Sequence, residues 1–133
     1  MPRPSVLVVE DDDDIRSLVA WSLRADGYDV TEVANGAHAV DVIAGPMMFG
    51  EDSERAPDLI VTDVRLPGIS GLTLLAGLRA QRCATPIILM TAYEIERVKP
   101  IAEALGATVF AKPFDVDELR AAVATALAAR RRA

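Results

Sequence analysis

The sequence predicts an α/β fold in which a doubly wound parallel sheet lies between two layers of helices. Short apolar runs without alternation are typical of strands that are covered on both faces. Between these runs, apolar residues recur every three or four positions, as they do on the buried side of a helix. Strands that alternate with helices favour a parallel sheet with right-handed crossovers. Since 133 residues with 51% hydrophobic content suffice for one core, we expect a single domain over 1–133, with its core at about 5–129.

Five segments predict the strands. The second segment alternates between apolar and polar residues, which is typical of a strand at the edge of a sheet, whereas the others are almost wholly apolar. The third is the centre of a longer stretch, 58–63. In chain order, the predicted strands are 6–9, 28–33, 59–61, 87–90 and 109–110.

Apolar stripes predict the helices between the strands. We expect Trp21 in the core or in a loop, and His38 on the surface of the second helix. Asp115, followed by Glu118, is a variant of the capping box that begins helices. The stripes of the first, third and fifth helices are Ile15, Leu18, Val19 and Leu23; Leu72, Leu75 and Leu78; and Val116, Leu119, Val123 and Leu127.

Two segments fit this pattern less well. The stretch 45–57 predicts a lengthened loop, because connections in α/β units usually have about two to six residues. The fourth helix carries Pro100, and proline fits best in a first turn. We therefore expect that helix to be short or to begin late.

Composition excludes several classes of function. The chain has 20 acidic and 14 basic residues and a pI near 4.7, which argues against direct binding of nucleic acid. Its single cysteine, Cys83, cannot form an internal disulfide, and no cluster of Cys and His suggests zinc. The sequence contains neither a signal peptide nor an apolar run of the roughly 18 residues that a membrane span needs. We expect a cytoplasmic protein that does not bind membranes.

Polar residues follow the apolar runs at the points where the strands end. Glu10 and Asp11 follow the first strand, Asp63 ends the third segment, Thr91 follows the fourth strand and Lys112 the fifth. The carboxyl ends of parallel strands share one edge of a sheet, where ligands bind at the position at which the strand order reverses. Because the edge strand contributes no such residue, the predicted strand order is 2-1-3-4-5, with a site between strands 1 and 3.

The carboxylates, the hydroxyl and the lysine together predict a site for phosphoryl transfer. Converging carboxylates repel one another unless their pKa values rise or a cation binds. Oxygen ligands without His or Cys suit Mg²⁺. With Lys112 and Thr91 to interact with phosphoryl oxygens, Asp63 is the predicted nucleophile.

The acidic run has a simpler interpretation as well. Five consecutive acids, 10–14, account for most of the formal charge of −6. Such a run is commonly a solvated loop, and aspartates at a helix start act as caps. We assign that role to Asp12, Asp13 and Asp14, and the metal site to Glu10 and Asp11.

Four motifs in order resemble the receiver domains of two-component response regulators, and the chain is similar to the single-domain chemotaxis type. The resemblance extends from Val6 to Leu127 and implies a flavodoxin-like (βα)5 sandwich. Its motifs are Val-Leu-Val-Val-Glu10-Asp11-Asp12, Asp63-Val-Arg-Leu-Pro67-Gly-Ile-Ser-Gly71, Thr91-Ala92 and Lys112-Pro113-Phe114.

The resemblance implies that Asp63 accepts a phosphoryl group from a sensor histidine kinase or a histidine phosphotransfer protein in a Mg²⁺-dependent reaction. Asp11 would bind the metal directly, Glu10 directly or through water, and Arg65 through its backbone carbonyl. Asp63 would complete the metal site. The chain would not be an enzyme acting on other molecules, but a phosphoacceptor that catalyses its own phosphorylation, also from small donors such as acetyl phosphate, and its own slow dephosphorylation.

The remaining implied roles concern the phosphoryl group. Thr91 and Lys112 would contact its oxygens, with Ala92 small enough to admit them, and the Lys112-Pro113 peptide would be cis. Tyr93 and Arg65 occupy positions where family members tune dephosphorylation. Because both side chains are bulky, we expect a long phosphoryl lifetime.

The chain departs from the family pattern in two places. The interval between Asp11 and Asp63 is longer than is typical, which fits a lengthened loop at 45–57. Receivers usually carry Tyr or Phe three positions before the lysine, where this chain has Val109, and Phe110 should face the other side of its strand. Aromatic-coupled switching is therefore in question, and the fourth helix is an alternative route.

Other functions stay open at this point. An aspartyl phosphatase of the haloacid-dehalogenase type would need an aspartate where Arg65 stands. A non-phosphorylated pseudo-receiver that only binds other proteins is the main alternative. Two forms of signalling are open. The receiver could bind a separate downstream protein target, or it could be part of a longer chain that carries an output domain.

Overall fold

The computed structural model describes residues 3–49 and 56–132. Strands and helices alternate strictly along the chain, as the apolar runs and stripes predict. Each predicted strand is present; four are longer than predicted by one or two residues, and the second is shorter by one residue at its start. The elements are β1 (Ser5–Val9), α1 (Asp13–Ala25), β2 (Asp29–Val33), α2 (Gly36–Phe49), β3 (Leu59–Asp63), α3 (Gly71–Ala80), β4 (Ile87–Thr91), α4 (Ile95–Ala104), β5 (Thr108–Ala111) and α5 (Val116–Arg132).

The five strands form one parallel sheet with the order β2-β1-β3-β4-β5, which confirms the predicted flavodoxin-like fold. The alternating strand, β2, is at the edge, and its burial is the most uneven among the first three strands. In β3 and β4 every residue is buried. Val9 pairs with Thr62 and Asp63 pairs with Met90, so that the carboxyl ends of the central strands lie side by side.

The sheet separates two apolar clusters. Residues on alternate positions of each strand belong to different clusters, as the pleat requires. One cluster joins the sheet to α2, α3 and α4, and the other joins it to α1 and α5. The predicted stripe of α5 is buried at Leu119, Val123 and Leu127.

Side chains begin three of the helices. Asp12 accepts a hydrogen bond from the backbone N–H of Ile15 at 3.0 Å, which confirms that the acidic run starts α1. Ser70 caps α3 through the N–H of Thr73 at 3.1 Å. Asp115 accepts from the N–H of Asp117 at 2.8 Å at the start of α5.

Helix α2 is longer than the sequence suggests. The predicted loop at 45–57 is wrong over its first five residues, because α2 continues to Phe49. Gly45 and Pro46 are poor helix formers, so local helix propensity does not explain this extension. The remaining part of the predicted loop includes 50–55, which lies outside the described residues.

Helix α4 begins at Ile95 in spite of Pro100, so it does not start late, but with ten residues it is short, which is the other half of the prediction. Pro100 is the sixth residue of this ten-residue helix. Its missing N–H leaves the carbonyl of Glu96 without the usual partner, but both residues are exposed, so water can satisfy that carbonyl.

The outer face of α1 carries apolar side chains. Trp21 is 72% exposed and Leu18 is 49% exposed, so neither belongs to the core. Each helical residue is rotated by about 100° from the last, which turns Trp21 about 200° away from the buried Val19. In the described part of the chain, no helix is long and apolar enough to cross a membrane.

Candidate functional site

Three carboxylates meet at the carboxyl ends of β1 and β3. Glu10, Asp11 and Asp63 each present an oxygen, and these oxygens lie within 4.8 Å of one another. Glu10 has no exposed surface and Asp63 is 7% exposed, whereas Asp11 is exposed. The strand order brings together residues from distant parts of the sequence, as predicted.

Lys112 lies between the two buried carboxylates. Its ammonium donates a hydrogen bond to Oδ2 of Asp63 at 2.6 Å and another to Oε1 of Glu10. Burial disfavours the charged form of Lys112, but the bonds to Asp63 and Glu10 outweigh it and raise its pKa. Burial raises the pKa of Glu10, and nearby Asp11 and Asp63 add to this effect, which the bond from Lys112 opposes.

Hydrogen bonds hold the main chain of Glu10 and the carboxylates of Glu10 and Asp63, and the N–H of Asp12 donates to Oε2 of Glu10 at 3.1 Å. The N–H of Glu10 donates to the carbonyl of Val33 at 3.1 Å, and its carbonyl accepts from Arg16 at 2.8 Å. The N–H of Arg65 donates to Oδ1 of Asp63 at 3.1 Å. Both oxygens of Asp63 therefore have a donor, one from the backbone and one from Lys112.

Gly71 holds the start of α3 against the end of β3. A Cβ atom added to Gly71 would lie 2.4 Å from the carbonyl oxygen of Asp63, a distance that real Cβ atoms do not reach. Its N–H donates to the carbonyl of Val64 at 2.8 Å. Only glycine fits where these two segments approach so closely.

Thr91 lies at the end of β4 and is 2% exposed. Its hydroxyl donates to the carbonyl of Tyr93 and accepts from the N–H of Tyr93 at 3.2 Å. The hydroxyl is thus bonded within its own turn rather than to the carboxylates. Ala92 lines the same cleft as the carboxylates.

Arg65 and Tyr93 form the wall of this cleft. Cζ of Arg65 lies 4.8 Å from the centroid of the Tyr93 ring, which is cation–π geometry. The sequence identified both positions but not their contact, since neither is near the other in the chain. The cleft is lined by Glu10, Asp11, Asp12, Ile15, Asp63, Arg65, Ala92, Tyr93 and Lys112.

The donor set at the cleft suits a hard divalent cation. All three clustered side chains offer carboxylate oxygen. Such ligands match Mg²⁺, which commonly takes one or two carboxylates and keeps water in the rest of its shell. Since Lys112 offsets one charge of the cluster, a net negative charge is left for a cation to balance.

The chain is a five-stranded α/β sandwich with three carboxylates and a lysine at the carboxyl ends of its strands. The family model for the response regulator receiver domain matches residues 6–124. The chain therefore belongs to the response regulator receiver domain family. The Lys112-Pro113 peptide is cis, as that resemblance implies.

Curated relatives agree with this assignment. The chain is 33% identical to sporulation initiation phosphotransferase F of Bacillus subtilis (strain 168), over 92% of this chain and 93% of that protein. It is 38% identical to the transcriptional regulatory protein TcrA of Mycobacterium tuberculosis, over 86% of this chain but 42% of that protein. The chain thus spans nearly all of some relatives and less than half of others.

Solved structures show the same fold. The receiver domain of the Francisella response regulator 1452 superimposes with a TM-score of 0.82 at 28% identity, covering 96% of this chain and 99% of that one. Chemotaxis protein CheY4 of Vibrio cholerae gives a TM-score of 0.75 at 28% identity, covering 93% and 98%. This chain is therefore a receiver domain of the two-component response regulators.

Proposed function

We propose that this receiver accepts a phosphoryl group on Asp63 in a Mg²⁺-dependent reaction and signals through the resulting change in conformation. The donor would be a sensor histidine kinase or a histidine phosphotransfer protein. The observation that supports this most directly is the position of Lys112, which donates to the carboxylates of both Asp63 and Glu10.

The choice of Asp63 as the acceptor rests on access and charge. Glu10 has no exposed surface, so a donor cannot reach it. Asp11 is exposed, but Lys112 does not bond to it, whereas Asp63 combines a bond from Lys112 with a position on the wall of the open cleft. An acceptor needs both an approach path and a nearby cation to balance the incoming charge.

The transfer forms one bond and breaks one. An oxygen of Asp63 attacks the phosphorus of a phosphohistidine, the P–N bond breaks, and the imidazole leaves with that electron pair and takes up a proton. Lys112 then donates to the phosphoryl oxygens, and Thr91 exchanges its bond to the Tyr93 carbonyl for one to the phosphoryl group. Ala92 leaves room for these oxygens.

Glu10, Asp11, Asp63 and the backbone carbonyl of Arg65 are the proposed ligands of Mg²⁺. When bound, the metal would supply charge neutralisation at the phosphoryl oxygens. The carboxylate oxygens within 4.8 Å of one another are consistent with such a site.

We propose that dephosphorylation is slow. Arg65 and Tyr93 both line the cleft through which water must approach the phosphorus opposite the Asp63 oxygen, and the bulk of their side chains hinders that approach. Loss of the phosphoryl group within seconds in a purified sample would contradict this proposal.

Incubation with Mg²⁺ and acetyl phosphate, followed by intact-mass measurement, tests the proposed function. We expect the native chain to gain the mass of one phosphoryl group, and we expect no gain for Asp63→Asn or with a chelator. Asp14→Asn is a matched control, because it removes an exposed carboxylate that lies outside the cleft. A native chain that gains no mass would instead favour a pseudo-receiver that acts by binding alone.

The cellular setting follows from this function. We propose a single receiver domain over 1–133 that works in the cytoplasm, where it meets its kinase and a downstream protein target. An output domain on a longer chain is the alternative form of that target, because several relatives are longer than this chain, such as the DNA-binding regulator NtrC of Escherichia coli, of which the match covers 25%.

A further inference from the structure

We propose that Arg65 senses the phosphoryl group and controls Tyr93, so that Tyr93 is the mobile aromatic side chain of this receiver. The inference rests on the proposed phosphorylation of Asp63. It assigns a positioning role to the Arg65 side chain, separate from its backbone carbonyl.

Arg65 connects the acceptor to the start of α4. Its backbone N–H donates to Asp63 at 3.1 Å, while its guanidinium lies over the Tyr93 ring, with Cζ 4.8 Å from the centroid. The positive charge of Arg65 also acts on Glu94, the residue that follows Tyr93. The hydrogen bond from Arg97 is the main reason that the pKa of Glu94 is lowered, and the charge of Arg65 contributes in the same direction.

Two contacts hold Tyr93 in the described conformation. One is the cation–π contact of its ring with Arg65. The other is with the Thr91 hydroxyl, which donates to the Tyr93 carbonyl and accepts from the Tyr93 N–H at 3.2 Å. The following residue, Glu94, has a φ of 58°, a left-handed conformation that is unfavourable for a residue other than glycine. The turn between β4 and α4 thus depends on contacts that compensate for this conformation.

Phosphorylation would act on both contacts at once. An acyl phosphate replaces one carboxylate charge with about two negative charges. A guanidinium bonds to phosphoryl oxygens more strongly than to an exposed aromatic ring, because the bonds are charge-assisted and can be bidentate. Arg65 would leave the ring while Thr91 leaves the carbonyl, so Tyr93 would lose its ring contact and the hydrogen bond to its carbonyl.

This route replaces the usual one. Val109 lies where receivers carry a switching aromatic residue, and Phe110 packs in the cluster on the α1 and α5 side of the sheet. Tyr93 is 62% exposed and directly precedes the N-cap residue of α4, so its movement is not blocked by the core. Phosphorylation would therefore be transmitted to α4 through Arg65 and Tyr93.

Fluorine NMR can test this directly, because the chain has two tyrosines. Biosynthetic 3-fluorotyrosine gives one resonance for each, and Tyr93→Phe assigns them. On addition of Mg²⁺ and acetyl phosphate, we expect the Tyr93 resonance to move by more than its linewidth in the phosphorylated fraction. The Tyr28 resonance should stay in place, because that side chain packs in the cluster on the α1 and α5 side of the sheet, away from α4.

Substitutions at Arg65 provide the decisive comparison, with the phosphorylated fraction measured by mass in every sample. In Arg65→Gln the Tyr93 resonance should already be displaced before phosphorylation and should move little afterwards, while Arg65→Lys should restore most of the movement. Arg97→Gln is the matched control, since it removes another cation beside Glu94, and its Tyr93 resonance should still move.

The outcomes separate the two proposals. If the native chain gains no phosphoryl mass, the proposed function fails. If it gains that mass and the Tyr93 resonance stays in place, or moves equally in the native chain and Arg65→Gln, the role of Arg65 is refuted while the phosphoacceptor function stands. A loss of movement in Arg97→Gln would equally refute the assignment to Arg65.

Discussion

Replacing Asp11 by asparagine should stabilise the protein when no divalent cation is present. Asp11 lies in a cluster whose carboxylate oxygens are within 4.8 Å of one another. Lys112 bonds to Glu10 and Asp63, and its charge offsets one of those two. Asp11 therefore experiences the repulsion of about one net negative charge.

The structure gives the size of this effect. At 4.8 Å, two unit charges interact by about 0.9 kcal/mol in water and by about 3.5 kcal/mol at an effective dielectric constant of 20. Since Asp11 is exposed, the lower value applies. We expect the free energy of unfolding of Asp11→Asn to rise by about 1 kcal/mol, which corresponds to a Tm increase of about 3 to 5 °C for a domain of this size.

In excess Mg²⁺ the native chain should be more stable than Asp11→Asn, which is the reverse of their order without the ion. The native chain should gain stability from the ion by mass action, whereas Asp11→Asn, which lacks one ligand, should gain much less. Thermal unfolding in chelator and in excess Mg²⁺ measures both effects. Asp14→Asn is the control, because its charge is at the same helix start but outside the cluster. It should not be stabilised in chelator, and it should gain as much stability from Mg²⁺ as the native chain.

Two results would refute this reasoning. If Asp11→Asn is less stable than the native chain in chelator, the carboxylate makes a stabilising contact rather than a repulsive one. If Mg²⁺ stabilises both proteins equally, the ion does not bind where Asp11 lies.

Three further predictions concern contacts away from the cleft. The Arg120 hydrogen bond lowers the pKa of Asp26, so Asp26→Asn should reduce Tm at neutral pH. The difference from the native chain should shrink below the ordinary aspartate pKa of about 3.9 and vanish once the pH falls below the lowered pKa of folded Asp26. Replacement of Arg79 by alanine should cost about 2–3 kcal/mol in urea unfolding, because charge-assisted bonds to three carbonyls are lost. Those carbonyls belong to Cys83, Thr85 and Leu105. Replacement of Trp21 by alanine should change stability by no more than about 0.5 kcal/mol, since the side chain is 72% exposed, and a larger loss would place the indole in a packed environment.

The fold was predictable because strand burial has a strong sequence signature. Segments 59–61 and 87–90 contain only apolar residues, and each lies within a strand that is buried throughout. Alternation in the second strand correctly predicts the edge, and from it the strand order. The end of α2 was not predictable in the same way, since Gly45 and Pro46 are typical of a helix end and α2 nevertheless continues to Phe49.

The carboxylates and Lys112 were predictable because topology alone brings strand ends together. The contacts that Thr91 and Arg65 make with Tyr93 were not predictable from the sequence. The bond between Thr91 and the Tyr93 carbonyl and the contact of Arg65 with the Tyr93 ring depend on the conformation of the β4–α4 turn. Trp21 was misassigned because hydrophobic character was given more weight than its angular position on α1.

Gly71 has a consequence for the interpretation of genetic data. Any side chain at position 71 would collide with the carbonyl of Asp63, whatever its polarity or charge. A saturation screen should therefore find position 71 as intolerant as position 63, and with no preference for chemically similar residues. Loss of signalling in such variants would be steric in origin. In a genetic screen it would look the same as the loss of a reactive side chain, although glycine has no side chain to lose.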